Sequence, residues 1–94
     1  MQQPADPIAL NARPTPFAST LETAKIGATH CVIGVLAPEH ANEWQAWLED
    51  LGFIEGEQVS VIRRQTVGGD PLIVRVGSST YALKRAEAAC IGIT

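Results

Sequence analysis

The residues of this chain that could do chemistry are few and far apart. It has two histidines, His30 and His40, and two cysteines, Cys31 and Cys90. A hydrolase or transferase needs a nucleophile held beside a base, or an acid and a base positioned together. Neither histidine belongs to a recognisable catalytic pattern, and the chain has no glycine-rich phosphate-binding motif. The residue types therefore predict that the protein is not an enzyme.

A metal site is the other chemistry that these residue types could support. A structural zinc site needs four Cys or His ligands at short spacings, whereas the four in this chain are scattered. The best local set is His40 and Glu43, three residues apart on a predicted helix, with Glu39 beside them. Such a set cannot close a tetrahedral site, so we expect no required cofactor. Two interpretations stay open: a solvated helix end, or a divalent transition metal (Fe²⁺ or Zn²⁺) bound weakly or shared within a homodimer.

Length and composition bound the class of protein. The chain has 94 residues, of which 46% are apolar and 18% charged, which predicts one globular domain. No apolar run reaches the roughly 18 residues that cross a bilayer. The N-terminal sequence lacks the basic start and apolar core of a signal peptide. We therefore expect a cytoplasmic protein that does not insert into the membrane, with Cys31 and Cys90 as buried, reduced thiols.

Charge is distributed unevenly along the chain. The net charge is −3, which argues against a nucleic-acid partner because such proteins need a basic face. Residues 39–57 include six acids and no Lys or Arg, whereas residues 58–86 include five bases and one acid. Two interpretations remain open: a solvated surface of compensating charges, or two electrostatically distinct faces suited to docking on another protein.

The elements that position these residues begin after a proline-rich stretch. Residues 1–18 contain four of the six prolines, which predicts a flexible tail before a domain at 19–94. Ser19 and Thr20 can cap a short turn that ends before Gly27. The apolar, β-branched run at 29–36 then predicts a strand.

A helix is the clearest element in the sequence. Pro38 fits its first turn, and Gly52 supplies the left-handed residue that ends it, with Phe53 folding back on the last turn. Between them an apolar stripe appears at positions i, i+3, i+4 and i+7. The stripe consists of Trp44, Trp47, Leu48 and Leu51. Its tryptophans have two interpretations: packing of the helix on the sheet, or a partly exposed docking patch.

After the helix the apolar period changes from 3.6 to 2, which predicts strands. Alternating runs occur at 58–64, 72–76 and 80–83. Gly68-Gly69-Asp70-Pro71 and Gly77-Ser78 predict the reversals between them. One helical turn at 84–89 and a strand at 90–93 complete the chain. Five short strands with one helix inserted after the first predict a mainly β fold, a small, strongly bent barrel.

Several of these turns and termini form a series of motifs. Leu51-Gly52-Phe53-x-x-Gly56, then Gly69-Asp70-Pro71, then Leu83-x-Arg85-x-Glu87-Ala88 resemble, in order and spacing, the FeoA family of bacterial ferrous iron uptake. The resemblance covers roughly residues 21–93. The chain departs from the family at Gln45-Ala46-Trp47, where an Arg is common, and at Gly68, where a Pro is common.

The resemblance implies an SH3-like β-barrel and an accessory role to FeoB, a membrane transporter with a cytoplasmic GTP-binding domain. Similar domains end the DtxR-type metal-responsive repressors, so a metal-responsive regulatory module is the alternative function. A free-standing peptide adaptor is a third interpretation. For docking we predict a surface that combines the helix with basic strand residues. Its members are Glu43, Trp44, Trp47, Arg63, Arg64 and Arg75.

Overall fold

The computed structural model describes residues 17–65 and 70–94. Its strands are Ser19–Thr20 (β1), Thr29–Val35 (β2), Gln58–Arg64 (β3), Leu72–Val76 (β4), Ser79–Leu83 (β5) and Ile91–Ile93 (β6). Its α-helices are Glu43–Leu51 (α1) and Arg85–Ala88 (α2). Two 3-10 turns, Leu21–Thr23 and Glu39–Ala41, precede β2 and α1 respectively.

The strands form one antiparallel sheet in the order β1-β6-β2-β3-β4-β5. The mainly β fold with an inserted helix is thus confirmed, although the described residues form six strands and not five. The additional strand is Ser19–Thr20, which was expected to cap a turn. Thr20 does stand at the N-cap of the first 3-10 turn, but its side chain makes no capping hydrogen bond. Two residues are too short for an alternating pattern, and their partner β6 lies at the other end of the chain.

The alternating runs lie on two faces of the sheet as predicted. Leu72, Val74 and Val76 are buried on the inner face of β4, whereas Arg75 is exposed on the outer face. A two-residue turn at Gly77-Ser78 joins β4 to β5. Residues 1–16 of the predicted tail and the two glycines of the predicted Gly-Gly-Asp-Pro reversal lie outside the described residues.

Helix α1 covers the inner face of the sheet. Leu48 is fully buried, and Trp44 and Leu51 pack against the same core. Gly52 ends the helix at φ +119° and donates its N–H to Glu49 O at 3.0 Å. Phe53 then folds back, with its N–H 3.1 Å from Leu48 O and its ring fully buried. The helix stop predicted from the sequence is therefore confirmed.

The core fills the space between the inner face and α1. Its largest fully buried side chains are Leu21, Val32, Leu48, Phe53, Val59, Val61, Leu72, Val74, Leu83 and Ile91. Cys90 is buried as expected, but Cys31 is exposed, so the prediction of two buried thiols was wrong for Cys31. Its neighbour Val32 takes the inward position on β2, and successive side chains of a strand point to opposite faces.

The two ends of the described chain meet on this sheet. Gly34 of β2 pairs with Gly92 of β6, and the Phe17 ring packs over both glycines. A Cβ at Gly92 would overlap that ring, so glycine is required there by the close approach of Phe17. Within the described ranges, no helix is long and apolar enough to span a bilayer.

Candidate functional site

The predicted metal ligands lie at the beginning of α1. Glu39 and His40 belong to the preceding 3-10 turn, Glu43 is the first residue of the helix, and all three are exposed. Across residues 17–65 and 70–94, no three His, Cys, Asp or Glu side chains are grouped so as to hold one ion. One copy of the described chain therefore offers no preformed metal cage, and a site shared between copies stays a prediction.

His30 lies in a separate cleft of about 250 Å³. The cleft is lined by Ser19, Thr23, Ala24, Lys25, Ala28, His30 and Ile93. Nδ1 of His30 lies 2.9 Å from the carbonyl oxygen of Thr94, so the tautomer that carries a proton on Nδ1 donates to that oxygen. In the described part of the chain, no hydroxyl or thiol is hydrogen-bonded to either histidine. The His30 imidazole thus hydrogen-bonds the backbone of Thr94 and forms no nucleophile–base pair with another described residue.

The predicted docking residues of the helix differ in exposure. Trp44 packs against the core, whereas Trp47 keeps 40% of its surface exposed. At about 100° per residue, Trp47 lies roughly 60° around the helix from Trp44, towards the edge of the buried stripe. Glu43 is exposed one residue before Trp44. Trp47 is thus partly exposed, and its place in a docking patch stays a prediction.

A β-bulge decides what the predicted docking arginines can reach. The pairing of β3 with β4 shifts between Val61 and Arg63, and Ile62 is the extra residue. Beyond the bulge, Arg63 lies opposite Ile73 on the outer face, whereas Arg64 lies opposite the buried Leu72. Arg64 turns towards the first 3-10 turn, where its Nη2 donates to the backbone oxygen of Ala24 at 2.7 Å. Its guanidinium therefore supports the fold, while that of Arg63 is exposed.

The outer face carries a polar row across four strands. Thr29, Ser60, Arg75 and Thr80 lie directly opposite one another on β2, β3, β4 and β5. A cleft of about 210 Å³ follows this row and is lined by Thr29, Gln58, Val59, Ser60, Arg75 and Gly77. Among the described residues, neither Arg75 nor Arg63 has a hydrogen-bonded or ion-paired side-chain partner. Two guanidinium groups without a partner among residues 17–65 and 70–94 thus face solvent on one surface.

The predicted docking residues divide into two groups. Trp44 belongs to the helix that packs on the inner face, whereas Arg63 and Arg75 lie on the outer face. The guanidinium of Arg64 is hydrogen-bonded to the backbone oxygen of Ala24. The structure thus places the helix residues and the exposed arginines on different sides of the sheet, and which group contacts a partner stays a prediction.

Sequence reasoning missed two polar side chains that join elements. Gln45 of α1 bonds the backbone at the end of β2, donating to Val35 O at 2.7 Å and accepting from the N–H of Ala37 at 3.2 Å. Asp70 accepts the N–H of Arg85, the first residue of α2, at 2.7 Å. Neither pairing has a local signal, because the partners lie eight to fifteen residues away.

Comparison with known proteins agrees with this geometry. The model of the FeoA domain family matches residues 19–94. FeoA from Stenotrophomonas maltophilia, crystallised with zinc, is a prokaryotic SH3-domain protein offered as a candidate activating factor of ferrous iron transport. It is 31% identical to this chain with a TM-score of 0.75, and the match covers 82% of this chain and 91% of that one. None of the curated proteins compared with this chain matches it.

Two further solved structures have the same fold. The FeoA protein from Chlorobium tepidum is 28% identical, with a TM-score of 0.68 over 80% of this chain and 68% of that one. A manganese-dependent transcriptional repressor is 23% identical, with a TM-score of 0.68 over 86% of this chain and 43% of that one. At that identity the repressor shares the fold alone. The SH3-like fold expected from the sequence motifs is confirmed.

Proposed function

Because this chain belongs to the FeoA family, we propose that it is a non-enzymatic, cytoplasmic accessory protein of bacterial ferrous iron uptake. In this proposal it docks on the cytoplasmic, GTP-binding portion of a FeoB transporter and modulates it. The family match over residues 19–94 carries the proposal. The relative from Stenotrophomonas maltophilia, offered as an activating factor of ferrous iron transport, supports the pathway.

The exposed side chains support a docking role. Arg63 and Arg75 lie on one outer face, and the described residues provide neither with an ion partner. Unpaired guanidinium groups on a sheet are well suited to carboxylates of another protein, because Arg binds carboxylate in a bidentate geometry. Trp47 offers a second, apolar contact on the other side of the sheet.

The mechanism of such a protein is conformational. A bound module changes the activity of its partner only when it binds one conformation of that partner more tightly than another. The nucleotide state of the transporter's GTP-binding domain is the obvious variable. We therefore expect the affinity of this chain for the transporter region to depend on whether a GTP analogue or GDP is bound.

Isothermal titration calorimetry with the cytoplasmic region of the cognate FeoB tests this proposal. We expect binding in at least one nucleotide state, with or without Fe²⁺. The double variant Arg63→Glu with Arg75→Glu is expected to bind at least tenfold more weakly. Low salt should increase this difference, because exposed charges are screened by ions.

The matched control is Lys25→Glu, because Lys25 is an exposed cation that lines the His30 cleft instead of the arginine face. It makes the same change of charge per site and is expected to alter the affinity less than threefold. The absence of binding in every combination of nucleotide and Fe²⁺ would remove the proposal. Equal losses in the control and the arginine variants would assign the effect to net charge and remove the arginine face from it.

The alternative function is a metal-responsive regulatory module. The shared fold of the manganese-dependent repressor favours it, although the fold is all that this likeness carries. The zinc in the Stenotrophomonas relative adds that a member of the family binds a metal in a crystal. This alternative requires Fe²⁺, Mn²⁺ or Zn²⁺ to change the state of the chain, and Glu39, His40 and Glu43 are the residues we predict as ligands between copies.

A further inference from the structure

β5 is an open edge of the sheet. It stands last in the strand order and pairs with β4 alone. No hydrogen bond from another described element reaches its far side. Ser79, Thr80 and Ala82 are exposed, so solvent reaches the strand along most of its length. An exposed strand edge presents unpaired N–H and C=O groups that can pair with another chain.

The turn before β5 shows which backbone groups are unpaired. Val76 and Ser79 flank a two-residue turn, so they exchange both hydrogen bonds, and the bonding pairs of the hairpin then alternate. The N–H of Gly77 donates to Gln58 O on β3 at 3.0 Å. Successive residues of a strand direct their backbone groups to opposite sides, so the N–H of Val76 points towards β5, in agreement with this alternation. Thr80 and Ala82 therefore direct their N–H and C=O groups away from β4. The open edge offers two donors and two acceptors.

The outer face beside this edge is basic. The strands β3, β4 and β5 together carry no acid, and two of their three arginines, Arg63 and Arg75, are exposed on this face. Arg75 lies directly opposite Thr80, one strand in from the edge, and no described residue pairs with its guanidinium. Strands in a sheet lie about 4.8 Å apart. An incoming strand would therefore lie about 10 Å from the backbone of Arg75, within the combined reach of an arginine and a glutamate side chain.

We propose that the β5 edge binds an extended, acidic segment of a partner protein, which adds a strand to the sheet. Backbone groups of the segment pair with Thr80 and Ala82, and its outward-facing carboxylates meet Arg75. This mode of binding takes affinity from main-chain hydrogen bonds and specificity from alternate side chains. The proposal rests on the proposed function for the identity of the partner, while the chemistry of the segment follows from the edge itself.

A second copy of this chain fits the edge less well. β5 pairing with β5 of another copy would extend one face of the sheet with further arginines and without an acid. Charge complementarity, which selects partners at protein interfaces, would be missing. An acidic segment supplies it. Self-association through β5 is therefore an outcome that would contradict the proposal.

Nuclear magnetic resonance of the ¹⁵N-labelled full chain tests the proposal with defined peptides. The probe is acetyl-TEVEVET-amide, in which every glutamate falls on one face of a strand, and its counterpart is acetyl-TKVKVKT-amide. We expect the acidic peptide to shift the amide signals of Thr80 and Ala82 and to slow their exchange with solvent. It should bind at least tenfold more tightly than the lysine peptide.

Two pairs of variants separate backbone pairing from charge. Ala82→Pro removes an N–H that points away from β4, a position where proline is tolerated on an edge strand. It is expected to weaken the acidic peptide at least tenfold, whereas Ala82→Ser keeps the N–H and should bind within twofold of the natural chain. Arg75→Glu should weaken binding at least tenfold, and Arg75→Lys less than threefold. Should Ala82→Pro fail to fold, the exchange rates of the Thr80 and Ala82 amides in the natural chain still decide the matter.

Three results would overturn the inference. They are peptide-induced shifts confined to α1, equal binding by Ala82→Pro and Ala82→Ser, and protection of the β5 amides that rises with protein concentration alone. The cytoplasmic region of FeoB distinguishes this inference from the proposed function. If that region binds Ala82→Pro as tightly as the natural chain, the edge is not its docking site and the proposed function stands. If the acidic peptide binds at β5 and the FeoB region does not bind, the proposed function fails alone.

Discussion

Gln45 takes the place of a strand partner at the end of β2. Its side-chain amide donates to Val35 O at 2.7 Å and accepts from the N–H of Ala37 at 3.2 Å. These two backbone groups would otherwise lack a partner on that side, and buried backbone groups must be paired. The same amide lies 3.2 Å from a carboxylate oxygen of Glu49, one helical turn further on. The side chain therefore fastens α1 to the sheet.

We expect Gln45→Ala to lower the free energy of unfolding by about 1–3 kcal/mol, because it leaves partly buried backbone groups of residues 35 and 37 unpaired. Urea denaturation followed by tryptophan fluorescence measures the change. Gln58→Ala is the matched control, since that side chain is exposed, and it should cost no more than about 0.5 kcal/mol. A loss no larger than the control would show that water replaces the amide without cost.

The three arginines of the central strands have different surroundings. Arg64 donates to Ala24 O, whereas Arg63 and Arg75 reach solvent on the outer face. Simple alternation from the buried Val59 and Val61 would point the side chain of Arg63 inwards. The bulge at Ile62 reverses this order, so Arg63 faces out and Arg64 lies on the side of Leu72. One inserted residue thus decides which charge a partner can reach.

Two of the family motifs meet at the start of α2. Asp70, from Gly-Asp-Pro, accepts the N–H of Arg85 at 2.7 Å. Glu87 accepts the N–H of Lys84 at 2.8 Å, and the Arg85 guanidinium lies 3.1 Å from a carboxylate oxygen of Glu22. Carboxylates near the first turn satisfy N–H groups that the helix itself leaves free. Residues of these motifs therefore connect the loop before β4 to α2, and α2 to the first 3-10 turn.

Asp70→Ala is expected to lower the free energy of unfolding by about 1 kcal/mol, the usual cost of removing a side chain that caps a helix. In a domain of this size the melting temperature would fall by about 4–8 °C, which differential scanning calorimetry detects. Asp70→Asn keeps an acceptor oxygen and should lose less. Glu55→Ala, an exposed loop carboxylate, is the control and should leave the melting temperature nearly unchanged. Equal melting temperatures for Asp70→Ala and Glu55→Ala would rule out a capping role.

At the scale of the whole molecule, the acids and the exposed arginines that are separated along the sequence also lie largely on different parts of the surface. The acids of residues 39–57 lie on the second 3-10 turn, on α1 and in the loop before β3. The exposed arginines of β3 and β4 lie on the outer face of the sheet, away from the inner face that α1 covers. An acidic partner would therefore meet the molecule by its outer face, because charges of one sign attract the other and repel their own.

Oligomeric state is the whole-molecule property that distinguishes the two functions. The regulatory alternative predicts that Zn²⁺ or Fe²⁺ doubles the molar mass, because the described residues of one copy include no group of three ligands that could hold an ion. Static light scattering measures the mass, with anaerobic solutions for Fe²⁺. His40→Ala should abolish the metal-dependent dimer, and His30→Ala, at the separate cleft, should leave it intact. A mass that stays monomeric at every metal concentration would exclude the regulatory alternative in this form, and the accessory function requires no dimer.

Much of the fold could be predicted from local patterns. The helix stop at Gly52 and Phe53, the inward face of β4 and the turn at Gly77-Ser78 each depend on neighbouring residues, and the structure agrees with all three. The sixth strand could not be predicted, because β1 has two residues and exists through pairing with β6. The candidate docking site was predicted as one surface that combines the helix with basic strand residues. Those residues lie on two sides of the sheet, a relation that depends on chain packing.

The amino-acid sequence by itself determined the class of the fold, the place of the helix and the absence of a recognisable catalytic motif, because periodicity and turn chemistry act over a few residues. Its motifs also indicated the family. Tertiary structure alone decided that Arg63 is exposed while Arg64 donates to Ala24 O. It also decided that Trp47 lies at the edge of the buried stripe, and that β5 is an open edge beside Arg75. These facts depend on a bulge, on the packing of one helix and on the order of strands. Each of them joins residues that are distant in the chain, and such contacts leave no local signal.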